Sequence, residues 1–91
     1  GPKAGMRRVV FTLGAPVGAD VALAGSFNGW DPAKKPMSDK DGNGVFKATC
    51  MLPPGTYEYK FVINGEWSVD PANPNFVVNA LNTLNSVIEV S

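Results

Sequence analysis

The chain has no histidine and a single cysteine, and its eight Lys and Arg are balanced by eight Asp and Glu. Without an imidazole there is no Ser-His-Asp or Cys-His catalytic unit and no histidine metal site, and one thiol closes no internal disulfide. A formal charge of zero supplies no field of the kind that gathers phosphate backbones or anionic membranes, so nucleic acid and membrane surfaces are poor partners. No apolar run approaches the ~18–20 residues needed to span a bilayer. Nothing near the start has the charged, apolar and small-residue order of a signal peptide. The chain is also short, at 91 residues. A domain of that size buries only about 60–70% of the surface its unfolded chain exposes, which leaves little structure with which to enclose an active site. The expectation is a non-enzymatic domain with no cofactor and no metal.

Glycine and proline, by contrast, are plentiful, with ten and eight residues. They fall in clusters: Asn28-Gly29, Asp41-Gly42-Asn43-Gly44, Pro53-Pro54-Gly55 and Asn64-Gly65. Such residues supply the positive or fixed φ that a reversing chain needs. Between the clusters lie short β-branched and aromatic runs, and no segment longer than about ten residues carries a clean 3.6-residue apolar period. The pattern predicts strands near 8–13, 21–25, 45–52, 56–63, 66–69, 75–78 and 86–90. About seven short strands make an all-β, antiparallel sandwich the expected fold. Cys50 falls inside one of these runs and reads as a small buried hydrophobe, which is compatible with an intracellular, cytoplasmic setting.

The stretch Tyr57-Glu58-Tyr59-Lys60-Phe61-Val62-Ile63-Asn64-Gly65-Glu66-Trp67-Ser68-Val69 predicts a hairpin. A two-residue type I′ turn at Asn64-Gly65 sets Ile63 opposite Glu66, Val62 opposite Trp67 and Lys60 opposite Val69. Tyr57, Tyr59, Phe61 and Ile63 then share the core side, because side chains alternate along a strand. Lys60 and Trp67 lie together on the outer side, as diagonal neighbours roughly 7–8 Å apart. The second tryptophan, Trp30, follows Phe27-Asn28-Gly29 and precedes Asp31-Pro32, which places it in a connection rather than at an inward strand position.

Two exposed indoles beside a lysine are hard to explain as packing. Flat aromatic rings on a shallow surface suit the C–H faces of sugar rings, which are apolar and slightly positive, and leave the sugar hydroxyls to Lys, Asn and Thr. The same platform serves single-stranded nucleic acid only within a basic groove, and a neutral chain lacks one.

Three separated motifs carry a resemblance. They are Val21-Ala22-Leu23-Ala24-Gly25-Ser26-Phe27-Asn28-Gly29-Trp30, then Pro54-Gly55-Thr56-Tyr57-Glu58-Tyr59-Lys60-Phe61-Val62-Ile63-Asn64-Gly65-Glu66-Trp67, and then Asp70-Pro71 with Asn82-Thr83-Leu84-Asn85-Ser86-Val87-Ile88. In this order they resemble the family 48 carbohydrate-binding modules, which include glycogen-binding domains of AMP-activated protein kinase β subunits and early-set domains of isoamylase-type enzymes. The resemblance covers about residues 8–90. It implies an immunoglobulin-like early-set sandwich that binds α-1,4-glucans such as glycogen, starch chains, maltooligosaccharides and cyclodextrins. Carried over by position, it implies Trp30 and Trp67 as stacking platforms and Lys60 and Asn85 as hydroxyl partners. It also implies Leu81 and Thr83 as contacts in the loop before the last strand, with Leu84 as the other candidate for the leucine's role. Asn64 stands where the family often has Asp, and Asn82 where it often has Gly; neither removes a contact group. Residues 1–5 read as a flexible start, with Gly1-Pro2 in the form of a protease-cleavage scar, and residues 6–91 as one carbohydrate-binding domain.

Other readings fare less well. Asp39-Lys40-Asp41-Gly42-Asn43-Gly44 matches the first half of an EF-hand loop, but Cys50 stands where the bidentate Glu should be and no helix flanks it. Glycosidase chemistry needs two carboxyls held ~5–10 Å apart across a cleft, and Asp31, Asp39, Asp41 and Asp70 all lie in turn contexts, where they bond turn amides or stay hydrated. The alternative to glucan binding is a structural or protein-interaction module of a glucan-metabolising enzyme or kinase complex, in which the Trp30 and Trp67 surface meets a protein.

Overall fold

The computed structural model describes residues 5–91; the Gly1-Pro2 scar and most of the flexible start expected from the sequence lie outside the described residues. Seven strands follow in order: β1 Arg7–Gly14, β2 Val21–Gly25, β3 Val45–Leu52, β4 Gly55–Ile63, β5 Glu66–Ser68, β6 Phe76–Val78 and β7 Leu84–Val90. They form two antiparallel sheets, one of β1 and β3 and one in the order β2-β4-β7-β6 with β5 also on β4. This is the all-β, immunoglobulin-like sandwich expected. A single turn of 3₁₀ helix, Pro32–Lys34, was not anticipated; Asp31 caps it, its carboxylate accepting from the Ala33 N–H at 3.0 Å.

Alternation builds the core. In β3 the odd-numbered residues face solvent, while Phe46, Ala48, Cys50 and Leu52 are buried. They meet Phe11 and Leu13 of β1, Leu23 of β2, and Tyr59 and Phe61 of β4. Tyr57 and Ile63 pack against the edge of this cluster, so the four-residue core face read from the hairpin is present. Phe11 and Tyr59 meet edge to face at 4.9 Å between ring centroids, and Tyr59 and Phe61 at 5.8 Å, the arrangement that ring quadrupoles favour. Burial pushes the free Cys50 thiol above its ordinary pKa, with Lys35 opposing part of the rise.

Tyr59 reaches past the core to a polar cluster. Its hydroxyl donates to Asp70 Oδ2 at 2.7 Å and accepts from Asn73 Nδ2 at 3.0 Å. The Asp70 N–H donates to Ser86 Oγ at 2.8 Å. Burial first, and the adjacent Asp70 carboxylate second, raise the phenol's pKa, while the Asn73 bond works against the rise. Turn carboxylates are used as the sequence suggested: Asp70 Oδ1 accepts from the Ala72 N–H, and the two oxygens of Asp39 accept from the N–H groups of Asn43 and Gly44. The half EF-hand is thus a turn held by its own carboxylate.

One glycine is fixed by space rather than by φ. A Cβ on Gly25 would lie 2.7 Å from the Glu58 carbonyl oxygen and 2.5 Å from the Phe27 ring. Gly25→Ala is therefore expected to destabilise the domain by ~1–3 kcal/mol, the usual range for overpacking. In thermal denaturation that is a fall of roughly 4–8 °C per kcal/mol for a domain of this size; an unchanged melting temperature would contradict the close approach of β2 to β4.

Candidate functional site

The outer face of the larger sheet is organised around a break in pairing. β4 runs beside β2 from Tyr59 to Ile63. Along its other edge it pairs with β7 through Gly55–Tyr59 and with β5 through Phe61–Ile63. Lys60 sits at the point where the partner changes. The hairpin pairs Val62 with Trp67, and β7 pairs Asn85 with Val77 beside the inward Ser86–Tyr59 pair. Alternation therefore sends Lys60, Trp67 and Asn85 to the same outer face.

The hairpin turn has the expected form, with φ of 50° at Asn64 and 84° at Gly65, the double positive φ of type I′. Asn64 also ties the turn to the chain before β2: its N–H donates to the Asp20 carbonyl at 2.7 Å and its Oδ1 accepts from the Asp20 N–H at 2.9 Å. One expected pair is absent. The ladder ends at Phe61–Ser68, and Lys60 does not pair with Val69, because the chain there turns away into the Asp70 cluster.

Trp30 arrives from the β2 side, in a loop built by Asn28. The Asn28 amide donates to the Leu23 carbonyl at 3.1 Å and accepts from the Gly25 N–H at 3.0 Å, and the Trp30 N–H closes on the Gly25 carbonyl at 3.0 Å. Trp30 itself has φ of 59°. That left-handed conformation costs a residue with a Cβ roughly 1–2 kcal/mol, and for a bulky residue it is a true outlier. Such strain persists only where the surroundings enforce it.

The fourth side of the site is the loop between β6 and β7. It too bends through a left-handed residue, Asn82 at φ of 63°, a conformation that asparagine tolerates better than most residues. This accounts for Asn at a position where the family often has Gly. Asn79 organises the loop: its N–H donates to the Thr83 carbonyl at 2.7 Å, and its Oδ1 accepts from the N–H groups of Leu81 and Thr83.

These elements enclose an open groove of about 540 Å³ whose walls include Trp30, Lys60, Trp67, Leu81, Thr83 and Asn85. All six residues named from the sequence are brought together. Trp67 is 49% exposed and Leu81 84%, so both present apolar surface to solvent along the groove. Leu81 lines the groove and Leu84 does not; Leu84 pairs with Val78 in the sheet. Asn85 is buried at 7% exposure, on the strand rather than in the loop. Its Nδ2 donates to Glu58 Oε1 at 2.9 Å and its Oδ1 accepts from Asn79 Nδ2 at 2.9 Å. Lys60 Nζ donates to Thr83 Oγ1 at 3.2 Å. The walls are thus chiefly apolar, with a few fixed polar groups at one end.

Asn79, Ala80 and Glu58 were not singled out from the sequence. Asn79 was detectable: an Asn two residues before Leu81 and four before Thr83 is the pattern of a side chain that caps the amides following it. A second, larger cleft of about 850 Å³ borders β1, β6 and β7; three of its polar side chains, Tyr59, Asp70 and Asn73, are already bonded within the cluster described above, and Thr12, Asn75 and Glu89 also line it. Among the described residues no group of three His, Cys, Asp or Glu could hold a metal ion, and no helix is long and apolar enough to cross a membrane.

Comparison with known proteins gives the chain a lineage. The family model described as the glycogen recognition site of AMP-activated protein kinase matches residues 8–91. The 5'-AMP-activated protein kinase subunit beta-1 of Sus scrofa is 41% identical over 73 residues, covering 80% of this chain and 56% of that protein. The Homo sapiens subunit beta-1 is likewise 41% identical over 73 residues, 80% of this chain and 25% of that protein. Protein PTST homolog 2, chloroplastic, of Arabidopsis thaliana is 46% identical over 56 residues, 62% of this chain and 10% of that protein. The chain therefore spans about half the length of one of these relatives and a quarter or less of the others. The match over nearly its whole length places it: the chain belongs to the family of AMP-activated protein kinase glycogen recognition sites, carbohydrate-binding modules of the family 48 type.

Proposed function

We propose that the domain captures α-1,4-linked glucans, such as glycogen, starch chains, maltooligosaccharides and cyclodextrins, in the Trp30–Trp67 groove without catalysis. Its role is to hold whatever larger protein or complex it belongs to on the polymer. The observation that carries the reading is the convergence of two indoles, Lys60 and Thr83 on one open, mainly apolar groove, in a chain of a glycogen-recognition family. Trp30 and Trp67 would receive the apolar faces of successive glucose rings. Leu81, at the lip of the groove, would press on the concave side of the curved chain. Lys60, Thr83 and the amide of Asn85 would set the position of hydroxyls along it.

Neutrality suits such a ligand. An uncharged polymer needs no field to steer it, and an open groove admits internal segments of a chain as readily as its ends. A shallow site with two stacking rings and a few exposed hydrogen bonds should contribute ~4–7 kcal/mol, or dissociation constants of ~10 µM to ~1 mM. Repeated sites along a polysaccharide would strengthen retention. A cytoplasmic setting belongs to the same proposal. Isothermal titration with β-cyclodextrin and maltoheptaose tests it: saturable heat in that range is expected. No heat at millimolar ligand would overturn it and leave the groove as a surface for a protein partner.

A further inference from the structure

We infer that Asn79 is a positioning residue that makes the groove wall a set of hydrogen-bond donors, holding the Thr83 hydroxyl proton toward the ligand so that carbohydrate oxygens are recognised as acceptors. This rests on the glucan-binding reading and adds to it the hydrogen-bond polarity that a ligand must match.

The polarity can be traced atom by atom. The backbone N–H groups of Leu81 and Thr83 both meet Asn79 Oδ1, each at 3.0 Å. A backbone N–H can only donate, so that atom is the amide oxygen and its neighbour is the NH₂ group. The two hydrogens of Nδ2 go to Thr83 Oγ1 at 2.7 Å and to Asn85 Oδ1 at 2.9 Å. This orients Asn85 in turn, and its own NH₂ group finds the Glu58 carboxylate at 2.9 Å. Two amides of one turn therefore fix the direction of a chain of bonds that ends on a carboxylate.

Thr83 is the member of this chain that faces the groove. A threonine hydroxyl has two acceptor lone pairs and one proton. Asn79 Nδ2 takes one lone pair and Lys60 Nζ, at 3.2 Å, takes the other. Both are groups that only donate, so the proton has to point elsewhere, and among the described residues no acceptor receives it. Lys60 spends one of its three N–H bonds on Thr83. The polar end of the groove thus offers N–H and O–H donors, and a ligand oxygen placed there satisfies them. A donor left unpaired when water is displaced costs more than a typical hydrogen bond contributes, so binding should depend on that oxygen.

The Asn79→Asp variant separates this from a purely structural role. It keeps the oxygen that caps Leu81 and Thr83 but loses the NH₂ group, so the Thr83 hydroxyl donates to the new carboxylate and its proton turns away from the groove. By calorimetry with β-cyclodextrin the affinity is expected to fall about five- to tenfold, while the lost bond to the buried Asn85 Oδ1 lowers the melting temperature by roughly 4–8 °C with the domain still folded at 25 °C. In a Thr83→Val background the same substitution is expected to change affinity by less than about twofold, since no hydroxyl remains to be turned. This second arm also carries the added charge beside Lys60, so the cycle subtracts it. Equal losses in both backgrounds, or no loss in either, would overturn the inference. If Asn79→Asp unfolds the domain, the cycle of Asn79→Ala and Thr83→Val decides: losses of affinity that are less than additive support the inference, and additive losses overturn it. Failure of the unsubstituted domain to bind β-cyclodextrin would instead overturn the glucan reading on which it rests.

Discussion

Replacing Trp67 with alanine is expected to lower affinity for β-cyclodextrin about 30-fold while the domain stays folded. A buried-on-binding tryptophan at the centre of a contact typically contributes ~2 kcal/mol or more, and 1.4 kcal/mol is a factor of ten. Little of the fold depends on this side chain: it is 49% exposed, on a strand of three residues that pairs along one edge of β4. Surface substitutions of this kind usually change stability by about 0.5 kcal/mol or less, so thermal denaturation should show nearly the same midpoint. Calorimetry and melting together distinguish the outcomes. Undiminished affinity would remove Trp67 from the site. A large fall in melting temperature would make its role structural.

Trp30 is expected to behave differently, because its backbone is strained. Trp30→Ala and Trp30→Gly both remove the indole, and both should lower affinity by about 10- to 100-fold. They differ in what they do to φ of 59°. Alanine keeps the cost of a Cβ in the left-handed region and glycine removes it. Trp30→Gly should therefore be the more stable of the two by ~1 kcal/mol, a difference of roughly 4–8 °C in melting temperature for a domain this small. Weak binding combined with retained or recovered stability in the glycine variant would show that strain is tolerated here for the sake of the indole. Equal stability of the two variants would contradict the left-handed conformation, and undiminished binding would contradict its function.

The hairpin was legible in the sequence because three local signals agreed: alternation of aromatics through Tyr57, Tyr59 and Phe61, the Asn64-Gly65 turn, and polar residues at the intervening positions. Short apolar runs bounded by clusters of turn residues located β2 and β3 at their observed bounds, Val21–Gly25 and Val45–Leu52. β7 begins at Leu84, two residues before its expected start, since Asn85 is a poor strand former that is held there by pairing with Val77 of β6. Such pairing is a long-range property and leaves no local pattern. The 3₁₀ turn at Pro32–Lys34 is too short to show a period.

The candidate site was legible in part. Lys60 and Trp67 followed from strand parity, and Trp30 from its place in a turn. Leu81, Thr83 and Asn85 came from resemblance, since nothing in an Asn- and Thr-rich loop states which face its residues occupy. The bonds among Glu58, Asn79 and Asn85 were not legible. They connect residues up to 27 positions apart, and only folding brings the three elements to one corner.

The two tryptophans both line the groove, which makes their indole N–H resonances the most direct probe of the central claim that this surface holds glucan. In a two-dimensional ¹H–¹⁵N spectrum of the labelled domain titrated with β-cyclodextrin, both resonances are expected to shift along one binding curve with a midpoint of ~10 µM to ~1 mM. Two indole resonances that stay in place at millimolar ligand would contradict it.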